Sequence, residues 1–351
     1  MYTNKHEIFM QRCLQLAKKG LGNTYPNPLV GSVIVHKGII IGEGYHKKCG
    51  ESHAEVNAIN SVKNKDLLKD ATLYVNLEPC AHQGRTPACS RLIIEKKIPK
   101  VIIGCIDSFA KVSGKGIKMM QNAGINVTVG VLEEASKEIN KRFFTFHEKK
   151  RPYIILKWAR TIDGFIDFER NKNTPIKPNW ITNEFARMLV HKWRTEEPSI
   201  MVATNTAEKD NPKINVRDWY GNQPVRIVLD KNLRLNSNLY LFDGSQKTIV
   251  FTEKSKKDKH NVEYIQLSFN ENFYNSLFKA LYEKDIQSVF IEGGAKLIQN
   301  LINNNYWDEA REFVGNIKFL KGVKAPQINK AYNKLITSSN NNLYIYRNKN
   351  N

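Results

Sequence analysis

Short apolar runs alternate with amphipathic helical patterns through the first 147 residues, and the alternation restarts after Arg151-Pro152. This constrains the fold more than any other feature, because strands joined by helical crossovers build sheets covered by helices. Residues 7–19 read as a helix with apolar Ile8, Cys13, Leu14, Leu16 and Ala17. VGSVIVHKGIIIGEGYH (30–46) reads as a hairpin turning at HKG, and SHAEVNAINSVK (52–63) opens a helix. TLYVNLEP is a strand stopped by Pro79, and TPACSRLIIEKKI is a helix with Pro87 in its first turn. KVIIGCID is a strand, GIKMMQNAG a helix ended by Gly124, INVTVGV a strand, and residues 133–150 one charged helix.

The second half repeats the theme. PYIILKWA is a strand, WITNEFARMLVHKWRTEE a helix, and SIMVAT, PVRIVLD and KTIVFTE are strands. The helix NENFYNSLFKALYEK leads into SVFIEGGAKLIQNLI, a strand, a Gly-Gly turn and a helix. A chain of 351 residues exceeds one ordinary core. Two α/β domains are expected, 1–147 and 148–351.

A hydrophobic fraction of 41% suits globular folding. There is no run of eighteen apolar residues and no signal-peptide pattern near the start, so a soluble cytoplasmic protein without a membrane partner is expected. The formal net charge is +20, but lysine and asparagine are spread along the whole chain, which reads as solvated surface rather than a nucleic-acid face. Five cysteines without a secretion signal point to metal or catalytic use of a subset, not to disulfides.

The subset is His53, Cys80 and Cys89. One imidazole and two thiolates are the donors of a catalytic zinc site, which keeps its fourth position for water. Glu55, two residues after His53, is placed to serve as the acid/base off the metal. Ser52-x-x-Glu55 also fits a capping box, in which Glu55 only closes the helix start. A structural zinc would need a fourth ligand from Cys13, Cys49 or Cys105; Cys13 and Cys105 fall inside apolar segments. His53-Ala54-Glu55 and Pro79-Cys80 resemble the H-x-E and P-C-x-x-C signature of zinc nucleobase deaminases, with the second cysteine displaced.

The intervening AHQGRTPA carries His82, Gln83, Arg85 and Thr86, donors fit to grip a phosphate or sugar. The full stretch, together with PNPLVGSVIV (26–35) and the G-x-x-HAE run ending at Glu55, resembles the RibD family of riboflavin biosynthesis. LKWARTIDG (156–164), NWIT (179–182), TAEKDNPKINVR (206–217) and IEGGAKL (291–297) extend that resemblance over most of the chain. It implies a cytidine-deaminase-like α/β/α domain followed by a dihydrofolate-reductase-like α/β domain. It also implies a zinc-dependent deamination of a phosphorylated pyrimidine, an NADPH-dependent reduction of its ribosyl group, and a homo-oligomer.

The resemblance makes Asn27, His46, His82 and Arg85 substrate contacts of the first domain. In the second it places Ala159, Trp180, Thr206 and Asp210 beside the cofactor, and Arg194, Ile214, Arg217 and Glu292 beside the substrate. Lys157, Asp210 and Glu292 are the candidates to polarise and protonate the sugar, and the arginines suit a 5′-phosphate. Gly293-Gly294 between strand and helix would let backbone amides approach a dinucleotide phosphate. Pro178 stands where the family has a small polar residue. Two rivals remain at this stage: a nucleic-acid-editing deaminase and a zinc-stabilised binding module.

Overall fold

The hairpin turns on Lys37 and Gly38, which have φ of 47° and 82°. Two consecutive positive φ values suit the right-handed twist of the flanking strands. The structure is a computed structural model and describes residues 5–81, 87–108, 113–171, 173–338 and 341–348. His82 and Arg85 therefore lie outside the described residues.

The first unit, Met1–Lys150, contains strands β1 (Gly31–His36), β2 (Ile39–Tyr45), β3 (Thr72–Leu77), β4 (Lys100–Cys105) and β5 (Asn126–Val129). Its helices are α1 (Lys5–Ala17), α2 (Ala54–Ser61), α3 (Cys89–Glu95), α4 (Lys115–Asn122), α5 (Glu133–Ile139) and α6 (Lys141–Lys149). The sheet order is β2-β1-β3-β4-β5, with β1 antiparallel to β2 and β3 and the remaining pairs parallel. Successive side chains of β1 face opposite ways. Val33 and Val35 pack with Phe9, Met10 and Leu16 of α1, while Ile34 packs with Ala58 and Ile59 of α2 and Ile93 of α3. Helices thus cover both faces, and both Cys13 and Cys105 are buried as core.

The expected single helix over 133–150 is broken at Asn140. The Asn140 side chain is taken up elsewhere: its Oδ1 accepts from the Leu29 N–H at 2.7 Å and its Nδ2 donates to the Leu29 carbonyl at 2.9 Å. Asn76 adds a second clamp, donating to the same carbonyl at 3.0 Å and accepting from Gly31 N–H at 2.7 Å. The two amides fix the chain as it enters β1. Pro87 lies ahead of α3 rather than in its first turn, because the helix starts at Cys89 with Ala88 as its cap.

The second unit, Arg151–Asn351, begins just past α6 rather than inside it at 147/148. Its strands are β6 (Tyr153–Thr161), β7 (Phe165–Asp167), β8 (Ser199–Ala203), β9 (Val225–Leu229), β10 (Thr248–Thr252), β11 (Val262–Gln266), β12 (Ser288–Glu292), β13 (Glu309–Gly315), β14 (Val323–Lys324), β15 (Lys334–Ser338) and β16 (Asn341–Arg347). Its helices are α7 (Glu184–Glu196), α8 (Thr204–Asp210), α9 (Phe273–Glu283) and α10 (Ala295–Asn303). The large sheet runs β11-β10-β9-β8-β12-β6-β13-β16-β15, parallel from β11 to β13 and antiparallel beyond. Two apolar clusters, around Trp158, Phe251 and Trp307 and around Trp193, Phe290 and Phe313, cover its faces. The helix expected from Trp180 starts at Glu184, where the Asn183 side chain accepts from the Ala186 N–H at 3.0 Å. Among the described residues no helix is long and apolar enough to cross a membrane.

Asn140→Leu leaves the buried Leu29 N–H without its acceptor. It should cost about 1–3 kcal/mol of the first unit's stability, seen as an earlier transition in thermal unfolding of the full chain; an unshifted transition contradicts the clamp.

Candidate active sites

β3 ends at Leu77, and the chain leaves the sheet through Glu78-Pro79-Cys80. Cys80 then meets the starts of two helices. Cys89 is the first residue of α3, and its N–H donates to the Cys80 sulfur at 3.3 Å. Ser90 donates to the Cys80 carbonyl through its backbone at 3.2 Å and its hydroxyl at 3.0 Å. His53 caps α2, with Nδ1 3.2 Å from Cys89 Sγ and 3.7 Å from Cys80 Sγ. The three donor atoms all lie within 4.8 Å of one another. A bond from the Cys89 thiol draws the Cys80 thiol down, with help from His53. Two sulfurs and one imidazole nitrogen at this spacing fit zinc. Cys49 is exposed and outside this group, as are the core Cys13 and Cys105.

Glu55 is the second residue of α2, and no side chain caps that helix, so the capping box does not form. The carboxyl is buried instead, and burial pushes it up to about 7 against the pull of His53. A carboxyl poised there can both take and give a proton near neutrality. His46 lies edge-on to His53 with ring centroids 5.4 Å apart. Its Nδ1 is 3.2 Å from the Ser52 carbonyl, so that nitrogen carries the hydrogen. Its Nε2 then accepts from Asn27 Nδ2 at 3.1 Å.

Glu78 went unnoticed in the sequence. Its buried carboxylate accepts the N–H groups of Gly114 at 2.9 Å and Gly116 at 3.0 Å, with Ile117 and Asp107 at 3.4 Å. It is tied to the start of α4, which packs so close that a Cβ on Gly116 would sit 2.1 Å from the Pro79 carbonyl. Pro79, and with it Cys80, is held from behind. The signal is the carboxylate directly before the Pro-Cys pair, which lies in an otherwise apolar strand ending.

The second unit has its own cluster where β12 ends. Glu292 ends β12 and pairs in register with Lys157 of β6. Arg194, in the last turn of α7, forks Glu292 with Nε at 2.7 Å and a terminal nitrogen at 2.9 Å. Its other terminal nitrogen donates to the Asn215 carbonyl at 2.8 Å, so each of the three guanidinium nitrogens makes a hydrogen bond. Lys157 Nζ is 3.7 Å from Glu292. Burial alone would raise the Glu292 carboxyl, but Arg194 and Lys157 outweigh it and hold it at about 2. Burial lowers the Lys157 ammonium, making it the better proton donor.

Ala159, Trp180, Thr206, Asp210, Ile214, Arg217 and Gly293 line the cleft that contains this cluster. Trp180 is exposed at its rim, not core, and Arg187 stacks on it at 5.5 Å; Trp193 is the buried one. An adjoining cavity of about 630 Å³ is lined by Thr206, Asp210, Gly293, Gly294, Arg234 and Lys296, among others. Gly293 and Gly294 have φ of 88° and 86° ahead of α10, and a Cβ on Gly294 would lie 2.5 Å from that of Ala203. That bare backbone beside a helix start suits a dinucleotide phosphate. Asp210 is bound by Arg170 at 2.7 Å and sits at about 6, raised by burial. Arg170 was not singled out from sequence.

Comparisons with known proteins identify both domains. Residues 3–105 match the family described as cytidine and deoxycytidylate deaminase zinc-binding region, and residues 152–317 match the RibD C-terminal domain. Riboflavin biosynthesis protein RibD of Aquifex aeolicus is 39% identical over 311 residues, covering 87% of this chain and 85% of that protein. The RibD of Actinobacillus pleuropneumoniae is 40% identical over 299 residues, covering 82% of this chain and 78% of that protein. A Thermotoga maritima crystal structure of a diaminohydroxyphosphoribosylaminopyrimidine deaminase/5-amino-6-(5-phosphoribosylamino)uracil reductase superposes with TM-score 0.88 at 38% identity, covering 98% of each chain.

Replacing Glu78 by Gln turns one acceptor toward the start of α4 into a donor. Zinc affinity, measured by chelator competition, should fall about 10-fold, as for other groups that orient ligands; unchanged affinity contradicts the role given to Glu78.

Proposed function

This chain belongs to the RibD family of riboflavin biosynthesis, whose members join a zinc-binding deaminase domain to an NADPH-using reductase domain, and on that premise we propose how its own residues divide the two reactions. The observation that carries the reading is the convergence of His53, Cys80 and Cys89 beside the buried Glu55. The substrate of the first reaction is 2,5-diamino-6-(5-phosphoribosylamino)pyrimidin-4-one, by likeness to the Thermotoga enzyme.

His53, Cys80 and Cys89 hold the zinc. When bound, zinc supplies a Lewis acid that makes water a nucleophile near neutral pH. Glu55 takes the proton of the attacking water and hands it to the 2-amino group, which leaves as ammonia while the ring carbon gains oxygen. The buried carboxyl near 7 suits both halves of that transfer. His46 fixes the Asn27 amide, which leaves Asn27 Oδ1 to accept an N–H of the pyrimidine. His82 and Arg85 are proposed as further substrate contacts on the motif alone.

In the reductase, Gly293, Gly294, Thr206, Ala159, Trp180 and Asp210 bound the cofactor side. NADPH supplies the hydride. Its arrival at the sugar C1′ opens the ring, so the ring oxygen needs a proton. Lys157 is proposed to give it, and Glu292 to hold the ammonium in place and balance its charge. Arg194 is committed to Glu292 and the Asn215 carbonyl, while among the described residues the Arg217 guanidinium makes a single hydrogen bond in the same cleft, so the 5′-phosphate is assigned to Arg217, with Ile214 as a wall. Arg170 holds Asp210 on the cofactor side, away from the proton transfer. The family resemblance further supports a cytoplasmic homo-oligomer acting on small molecules rather than on nucleic acid or membranes.

Glu55→Gln should keep one equivalent of zinc, slow ammonia release about 10²–10⁴-fold and leave NADPH oxidation on the deaminated substrate intact. Ammonia release at the parent rate removes Glu55 from the mechanism. Glu292→Gln should slow NADPH oxidation by about 10²-fold or more while ammonia release continues; normal oxidation refutes the pairing with Lys157.

A further inference from the structure

We propose that His191 is a positioning residue of the reductase: its ring holds the backbone of Arg217 and so sets where that guanidinium meets the substrate phosphate. The proposal deepens the reading above and rests on Arg217 as the phosphate contact.

His191 lies on α7, one turn before Arg194, and is buried to 1% exposure. Its Nδ1 accepts the N–H of Arg217 at 3.1 Å and faces the N–H of Asp218 at 3.4 Å. A ring nitrogen that accepts carries no hydrogen. The hydrogen is therefore on Nε2, which lies 3.4 Å from the Asp218 carboxylate. Burial, followed by the charges of Arg194 and Arg217, pushes the imidazole down to about 4, so it stays neutral with its lone pair available.

The held segment needs holding. Residues 211–220 contain no helix or strand. Side chains from elsewhere hold its main chain instead. Arg194 binds the Asn215 carbonyl at 2.8 Å, and Gln223 binds both backbone groups of Val216 at 2.7 and 2.8 Å. The next residue is Arg217, and its anchor is His191.

The Arg217 side chain is the piece of this segment with work left to do. Among the described residues its guanidinium makes one hydrogen bond, to Asn215 Oδ1 at 3.1 Å. It lines the cleft with Lys157, Arg194 and Glu292. Burial and the neighbouring Arg194 charge both act against its own charge. A guanidinium in that position gains from an incoming dianion, and its geometry toward a phosphate depends on where its backbone is pinned.

The test uses the full chain and reads KM and kcat for NADPH oxidation with 5-amino-6-(5-phosphoribosylamino)uracil and with its dephosphorylated counterpart. The thermal unfolding transition of each variant and its kcat with the dephosphorylated substrate report that the reductase unit is folded. His191→Leu should raise KM for the phosphorylated substrate by about 10-fold or more while kcat stays within about threefold. KM for the dephosphorylated substrate should not move. His191→Asn, whose Oδ1 reaches the place of Nδ1, should restore KM, and His191→Gln, whose oxygen reaches further, should not. If the Leu variant loses its fold, the contrast between Asn and Gln decides the question alone. Equal KM values in Asn and Gln, or a fall in kcat with KM unchanged, overturn the proposal. Arg217→Gln separates the two readings. If it raises KM for the phosphorylated substrate and His191→Leu does not, only the role of His191 fails. If Arg217→Gln leaves KM unchanged, the phosphate reading falls and takes the role of His191 with it.

Discussion

The deaminase half depends on one convergence: a cysteine just past the end of a strand meets a second cysteine and an imidazole at the starts of two helices. Cys80 is useless as a ligand unless its carrier, the short exit from β3, is rigid. Glu78 supplies that rigidity by binding backbone N–H groups at the start of α4. Cys89 and Ser90 supply it from the other side by donating to the Cys80 sulfur and carbonyl. The Asn140 and Asn76 amides act similarly on the entry to β1, near the residues that bring Asn27 to His46.

The reductase half uses the same device with charge. Glu292 is a buried carboxylate whose desolvation is offset by a forked arginine and a nearby lysine. An unpaired charge there would be prohibitive, so the three residues stand or fall together. The arrangement leaves a lysine whose proton is loosened by burial, beside the carboxyl end of parallel strand β12, the side on which α/β folds place their ligands.

The motifs legible in sequence were those built from a recurring residue pattern. His53-x-Glu55 and Pro79-Cys80 are such patterns, so their chemistry could be read without coordinates although His53 lies 27 positions from Cys80. The break at Asn140 could not, because an asparagine inside a charged helix looks ordinary and its partner Leu29 is 111 residues away. Glu78, Arg170 and His191 belong to no such pattern, and each acts on residues some 26–40 positions distant. The carboxyl-terminal strands escaped by composition. β13 buries Glu309, Arg311 and Glu312, which reads as surface until Arg311 is seen on Glu309 and Arg160 on Glu312. Trp180 and Trp193 could not be told apart from sequence, yet one is at the cleft rim and the other in the core.

A catalytic zinc and the structural zinc of a binding module differ in what surrounds the metal. X-ray absorption at the zinc edge of the purified protein measures that directly. The account predicts two sulfur neighbours at about 2.3 Å and two lighter nitrogen or oxygen neighbours at about 2.0–2.1 Å, one of them exchangeable solvent. A shell of three or four sulfurs, or one without sulfur, would contradict it.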